Sequence, residues 1–311
     1  MSAKYVHDMT KGNEVKLIIK FTLPMLLGNV FQQFYNLIDS VVVGRFVGAK
    51  ALAAVGACGS LSFLFISICM GLSIGIGIII SQHFGAGEEE QIKSAITNAI
   101  YVIGVAGVIM STLAVIFARP LLQLLHTPPE ILNDATSFFS IIAGGMIAVA
   151  GYNAIAAILR ALGDSKTPLI FLVVSCIINV LLDLLFVLAW NMGVSGAAIA
   201  TVISQGCAAV GSTIYARRTN PYFRLRKEHW KVNRNIIKKC IKIGIPVAMQ
   251  NSMIAISMVA LQTVVNSFGE TAVAAYTATS RVEQLIHQPF NSLGAAMSTF
   301  AGQNMGAGKL D

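Results

Sequence analysis

Residues 21–44 read FTLPMLLGNVFQQFYNLIDSVVVG. As a helix, a run of this length and apolarity crosses a bilayer, which takes about 20 residues. Yet it holds a carboxylate, Asp39, inside the crossing. An ionised side chain there costs at least ~2.5–3.5 kcal/mol on insertion scales, so it faces a cavity or a partner in the bundle rather than lipid. The partner of Asp39 is therefore the route to function.

The rest of the chain is of the same kind. Of its 311 residues, 55% are hydrophobic and 12% charged, about half the charged share of a soluble domain. This composition predicts an all-α, polytopic membrane bundle. No signal peptide with a small-residue cleavage site precedes the first span. The net charge of +8 raises the question of nucleic acid. Most cations, however, lie in loops between apolar runs, as the positive-inside rule expects. Cys58, Cys69, Cys176, Cys207 and Cys240 form no CxxC pair and read as small apolar packing residues.

Eight spans can be drawn, at roughly 15–44, 51–84, 92–118, 131–159, 168–190, 195–218, 236–267 and 271–303. Thr127-Pro128-Pro129-Glu130 opens the fourth, with Thr127 expected as N-cap and proline in the first turn. With the N-terminus inside, eighteen Lys and Arg fall in inner segments and three in outer loops (Arg45, Lys50 and Arg119). That split predicts a multi-pass plasma (cytoplasmic) membrane protein with a cytoplasmic N-terminus. Residues 219–235 alternate cations with Phe223, Leu225 and Trp230, the pattern of an interfacial segment on anionic lipid; a nucleic-acid patch is the less favoured reading, and no nucleic acid is expected as a partner.

The seventh and eighth spans echo the first two. Val47 to Ala54 matches Phe268 to Ala275, and Ser81-Gln82-His83-Phe84-Gly85-Ala86-Gly87 matches Gly302-Gln303-Asn304-Met305-Gly306-Ala307-Gly308; both pairs are 221 residues apart. Pro24 and Pro246 correspond with a one-residue slip. A six-helix repeat enters the membrane twice from the same side, which is the parallel kind, related by an axis along the membrane normal. The expected organisation is a six-helix N-terminal lobe over 1–218, a basic cytoplasmic linker over 219–235, and the first two helices of a second lobe over 236–311. The second copy stops at Asp311 where the first has reached Glu90. The repeat thus predicts four further helices, and the chain reads as a fragment or a truncated product.

Four polar residues form the main candidate site: Asp39, Asn179, Asp183 and Thr201. Asn179 and Asp183 are i and i+4 and share a helix face. At 1.5 Å per residue, Asp39, Asp183 and Thr201 lie roughly 8, 10 and 9 Å below the outer ends of their spans, one level of the outer leaflet. Two carboxylates, an amide oxygen and a hydroxyl are hard ligands suited to a small cation, and two close carboxylates can share a proton instead. Helix–helix hydrogen bonding is the plainer alternative for Asn179 or Thr201 taken alone. Gln32, Tyr35 and Asn36 share the Asp39 face one or two turns inward and, with Asn153, could line a substrate cavity; helix–helix bonding explains them equally well. Arg281 and Glu283 are further intramembrane charges, two apart and therefore on different faces, with substrate contact and a salt bridge to further helices both open. His83 and His287 sit near helix ends, where interfacial placement is favoured over proton relay. No P-loop, metal-ligand spacing or nucleophile–base pair is present, which argues against an ATP-driven pump and against an enzyme.

Arg45-Phe46-Val47-Gly48-Ala49 with Leu52-Ala53-Ala54-Val55-Gly56, the Ser81 to Gly87 block, and Arg160-Ala161-Leu162-Gly163-Asp164-Ser165-Lys166-Thr167-Pro168 resemble the multidrug and toxic-compound extrusion (MATE) family over the whole chain. The resemblance implies a V-shaped transporter of twelve helices in two lobes. It implies a secondary active antiporter that exports organic, often cationic, compounds in exchange for Na⁺ or H⁺, with no cofactor beyond the coupling ion and a monomer as the expected state. It also implies that Asp39, Asn179, Asp183 and Thr201 hold the cation. One branch of the family carries an acid on the seventh helix; none lies between Pro246 and Gly269, which leans toward the branch whose ion site is wholly in the first lobe. The rivals are a lipid-linked oligosaccharide flippase of the same superfamily, which would need a cationic cavity the first lobe lacks, and a non-transporting receptor or scaffold, which would have no need for acids at one depth.

Overall fold

The helices begin and end where the sequence supplies a local reason. The structure, a computed structural model, describes residues 7–266, 268 and 270–309, with the side chains of 259, 262, 263, 266, 270–274, 277, 278 and 281 left aside. The order is α1 (Glu14–Val42), a π-helical turn (Val43–Val47), α2 (Ala49–Gly85), α3 (Glu89–Leu124), α4 (Pro129–Gly144), α5 (Met146–Ala161), α6 (Lys166–Asp183), a second π-helical turn (Leu184–Ala189), α7 (Gly193–Thr219), two 3-10 turns (Pro221–Phe223 and Lys227–Trp230), α8 (Arg234–Asn266) and α9 (Glu270–Gly306). Asn13 caps α1, its side chain accepting from Lys16 N at 3.0 Å. Asp164 serves the start of α6, accepting from Lys166 N at 3.1 Å and Thr167 N at 2.9 Å.

The structure departs from the sequence reading in three places. The fourth span is two helices, α4 and α5, bent by 46° at Gly144-Gly145. A Cβ on Gly145 would sit 2.2 Å from Val202 Cγ2, so the bend brings α7 into a space no larger residue leaves free. Thr127 does not cap α4: Pro128 holds the cap position without a side-chain bond, because a residue before proline is pushed to extended backbone. Third, among the described residues five helices are long and apolar enough to cross a membrane by length and hydropathy alone, or six if the α4–α5 pair is one span. Residues 21–44 are not among them, because Gln32, Gln33, Asn36 and Asp39 lower the hydropathy of α1. All five cysteines are free, with Cys58, Cys69 and Cys240 buried, as packing residues would be.

α2 is the centre of the bundle and packs against α3, α4, α5, α8 and α9. Its crossing with α8 is made of small residues. Gly71 and Gly75 face Gly244 and Ala248; a Cβ on Gly71 would lie 2.6 Å from Ala248 N, and one on Gly75 would lie 2.9 Å from Cys240 O. Such small-xxx-small surfaces let backbones approach closely where lipid supplies no hydrophobic drive. The positions 221 residues on, Ser292 and Ala296, are also small and wholly buried, and Ala296 packs with Met9 and Phe21 at the α1–α9 contact. Ser67 and Ser252 hydroxyls lie 2.9 Å apart across α2 and α8, and Asn29 Nδ2 donates to Ser292 Oγ at 2.9 Å across α1 and α9.

The repeat read from the sequence is present in the backbone. Gly87 and Gly308, 221 apart, have φ of +72° and +71°. α2 and α9 meet at equivalent residues: a Cβ on Gly85 would lie 1.8 Å from Gln303 O, and one on Gly306 would lie 1.9 Å from Gln82 O. A local two-fold relation follows, because each half of the contact is the other with the copies exchanged. Gln303 is fully buried; its Nε2 donates to Ala161 O at 2.9 Å and its Oε1 accepts from Met9 N at 2.9 Å. One side chain thus joins the N-terminal arm, α5 and α9. Gly269, part of the other matched block, lies outside the described residues.

The basic linker is tied down on α3. Thr97 Oγ1 donates to His229 O at 2.5 Å, Tyr101 OH to Trp230 O at 3.0 Å, and Asn233 N to Asn98 Oδ1 at 2.8 Å. His229 Nδ1 accepts from Arg226 N at 2.8 Å, so the ring proton sits on Nε2 and is donated to Glu90 Oε2, 2.8 Å away.

Candidate functional site

Three helices and two unusual turns build the site. Asp39 lies one turn before the π-helical turn that ends α1, and Asp183 is the last α-helical residue before the other. π turns hold one extra residue and often mark functional positions. The two turns pack together, and Val42, Val43, Ala51, Val187, Val194 and Ala197 form an apolar cluster around them. The acids thus lie beneath a dry layer, where charges interact more strongly than in water.

Asp39 (α1), Asn179 and Asp183 (α6) and Thr201 (α7) come together as the depth argument expects. Asn179 is 1% and Asp183 0% exposed. The Asp39 and Asp183 side chains lie close enough to act on each other. Two carboxyls so placed can share a proton. With its amide turned to suit its surroundings, Asn179 donates to Asp183 Oδ2 at 2.7 Å and accepts from Thr201 N at 3.1 Å. In the opposite sense it keeps one bond, Nδ2 to Thr201 Oγ1 at 3.3 Å, and turns its oxygen on the acid. The first orientation is the chemically sound one. Asp39 Oδ1 and Asp183 Oδ1 are both buried and have no hydrogen-bond partner.

Tyr35 belongs to this cluster: its hydroxyl lies 3.3 Å from Thr201 Oγ1, which itself bonds Ala197 O at 3.0 Å. Spacing on α1 put Tyr35 on the Asp39 face, but only the arrival of α7 beside it shows its partner. Gln32 is half-buried and Asn36 exposed. Asn153 turns onto its own helix, Nδ2 donating to Val149 O at 2.9 Å, and among the described residues no hydrogen bond joins it to Gln32 or Asn36. Glu283 lies 3.4 Å from His287, both exposed; the Arg281 side chain lies outside the described residues. His83 pairs with Glu88 at 2.5 Å. Among the described residues no group of three His, Cys, Asp or Glu could hold a metal, so a cation at this site would rest on two acids and neutral oxygens.

With that geometry in hand, comparison with known proteins gives one answer. The MatE family model matches residues 24–185 and 246–311, and the two segments begin at Pro24 and Pro246, the prolines that correspond in the repeat. "Probable multidrug resistance protein YpnP" of Bacillus subtilis (strain 168) is 35% identical over 312 residues, covering 97% of this chain and 67% of that protein. "Probable multidrug resistance protein NorM" of Thermotoga maritima is 26% identical, covering 95% of this chain and 64% of that protein. The chain thus spans about two thirds of the length of these curated relatives. A solved structure of a MOP superfamily transporter from Pyrococcus furiosus matches with TM-score 0.92 at 24% identity, covering 99% of this chain and 68% of that chain. Another, described as the outward-facing conformation of a multidrug resistance MATE family transporter, matches with TM-score 0.91 at 24% identity and the same coverage of both chains, 99% and 68%. At that identity these structures speak for the fold, while the family model and the Bacillus relative settle the lineage: the chain belongs to the MatE, or MATE, family.

Proposed function

We propose that the chain is the cation-binding part of a secondary active antiporter that exports organic, often cationic, compounds in exchange for Na⁺ or H⁺. The observation that carries this reading is the pair of buried, unpartnered oxygens, Asp39 Oδ1 and Asp183 Oδ1, in one cluster with Asn179, Thr201 and Tyr35. Buried carboxylate oxygens without partners are costly and call for a cation or a proton. Na⁺ takes Asp39, Asp183, the Asn179 oxygen and the Thr201 hydroxyl as ligands in this reading; a proton takes the Asp39–Asp183 pair. Tyr35 positions the Thr201 hydroxyl. Gln32 and Asn36 line the path of the exported compound.

In this mechanism the incoming ion and the outgoing compound compete for the α1 acid, and the two repeats rock about the axis between α2 and α9 to give alternating access. The six spans of 1–218 act as one lobe, 219–235 as a cytoplasmic linker, and 236–311 as the start of the second lobe. The charge count supports a cytoplasmic side of the plasma membrane for the N-terminal arm and the linker.

The test is binding of a fluorescent organic cation, ethidium, to purified protein as Na⁺ and pH are varied. Asp39→Asn and Asp183→Asn should each abolish the ion dependence with helicity and insertion unchanged. If both variants respond to Na⁺ and pH as the parent does, the site assignment fails.

A further inference from the structure

The internal repeat keeps an outward face that packing does not explain. With Pro24 set on Pro246, residues 15–24 (VKLIIKFTLP) lie over 237–246 (IKKCIKIGIP). Lys16, Ile19 and Lys20 recur as Lys238, Ile241 and Lys242, and Val15 and Leu23 recur as the aliphatic Ile237 and Ile245. These positions face out: Ile19 is 60% and Ile241 45% exposed, and all four lysines are exposed, with Ile237 alone half-buried. The positions that do not recur are Leu17, Ile18, Phe21 and Thr22 against Lys239, Cys240, Ile243 and Gly244. All of these but Lys239 are half-buried or buried. Selection for packing alone would hold the inward positions and let the outward ones drift. The opposite pattern says that both outward faces meet the same thing.

Its chemistry can be read from the faces. The aliphatic residues recur at i, i+4 and i+8, so they form one stripe, and the lysines stand about 100° round the helix from it. On α8 the residues Arg234, Ile237, Lys238, Ile241 and Lys242 line one shallow groove. No carboxylate occurs between Arg234 and Pro246. On α1, Lys20 lines a small cavity with His7 and Lys166, and Glu14 is the only acid of the helix before Asp39. None of Lys16, Lys20, Arg234, Lys238 and Lys242 has an ion pair among the described residues. α8 is one of the helices apolar and long enough to cross a membrane over Arg234–Met258, and its stripe runs on into the exposed apolar residues Met249, Met253 and Ile256.

We infer that these matched faces are a pair of binding sites for anionic phospholipid, with the phosphodiester headgroup on the lysines and the acyl chains along the aliphatic stripe. A free phosphate would have no use for the stripe, and a nucleic acid would gain nothing from aliphatics that face a bilayer. Charge and apolarity together select a lipid of the leaflet at the arm end.

The test is native mass spectrometry of protein released from bilayers of mixed phosphatidylglycerol and phosphatidylcholine. The parent should retain phosphatidylglycerol in preference. At the attraction typical of a basic residue near a membrane surface, Lys16→Gln with Lys20→Gln should weaken retention at one site about 30-fold, as should Lys238→Gln with Lys242→Gln at the other. All four together should remove the preference, while Lys→Arg at the same positions keeps it. Lys50→Gln with Arg119→Gln, at the opposite end of the bundle, should change nothing. The inference is overturned if the fourfold variant retains phosphatidylglycerol like the parent, if the control pair loses as much, or if inorganic phosphate protects the protein from heat as well as phosphatidylglycerol does.

Discussion

Gln303 gives the sharpest test of how the two repeats are joined. Replacing it with leucine preserves volume but removes a donor to Ala161 O and an acceptor for Met9 N. Each buried group left unpaired costs about 1–3 kcal/mol. The arm can swing out and hydrate the Met9 amide, but that exposes the Met9 side chain, now 2% exposed, at a cost of about 1.5–3 kcal/mol. Either route gives a loss of about 3 kcal/mol. Two further bonds resist release of the arm, Asn304 Nδ2 to Met9 O at 3.3 Å and Lys309 Nζ to Thr10 O at 2.5 Å. Amide hydrogen exchange over residues 8–12, with the unfolding midpoint in detergent, reads both consequences. Only the lost Met9 bond, about 2 kcal/mol, favours opening of the arm, so exchange there should rise roughly 30-fold. Gln303→Glu separates the two bonds. It keeps the acceptor for Met9 but puts a carboxylate against the Ala161 carbonyl, so it should destabilise more than leucine. A midpoint change worth less than about 0.5 kcal/mol, with arm exchange unaltered, would refute the reasoning.

Gly85→Ala and Gly306→Ala each push a Cβ into a backbone carbonyl of the other repeat and should destabilise by about 1–3 kcal/mol in equal measure, whereas Gly294→Ala, which meets nothing within 4 Å, should be neutral or stabilising in thermal unfolding. Thr201→Val removes the oxygen facing the Tyr35 hydroxyl and should weaken Na⁺-dependent binding about fivefold in titration calorimetry, with ion-independent binding unchanged. Glu90→Ala takes away the acceptor of the His229 Nε2 proton, and limited trypsin digestion should then cut faster after Arg224, Arg226 and Lys227.

Much of this was legible in the sequence because intramembrane polarity and exact repetition are strong signals. Asp39, Asn179, Asp183 and Thr201 stood out against apolar neighbours, and helical rise put three of them at one level. The blocks around Gly85 and Gly306 fixed the repeat. Other features depend on contacts between distant segments and leave no local mark. Tyr35 could be put on the Asp39 face, but its bond needs α7 beside it. The bend at Gly145 sets its backbone against Val202, more than fifty residues on. The Gly71-xxx-Gly75 pair is a signal that could have been found, since it matches a known close-packing pattern, and Gly244 and Ala248 repeat its spacing. In the sequence Gln303 is only a matched letter; its Oε1 bond to Met9 N needs the arm folded back onto α9. The π turns beside both acids have no counterpart in the periodicity, because an inserted residue shifts the pattern without breaking it.

The meeting of Gly85 with Gln303 and Gly306 with Gln82 has a mechanical meaning. Main chain abuts main chain there, so no rotamer change can loosen the joint and no side chain can act as its cushion. Two stiff rods touching at one tip can spread only at the other, like the legs of a pair of compasses. To widen the gap at the touching tip, the pair must first give up the bonds of Gln303, so a single amide side chain stands as the catch on that hinge.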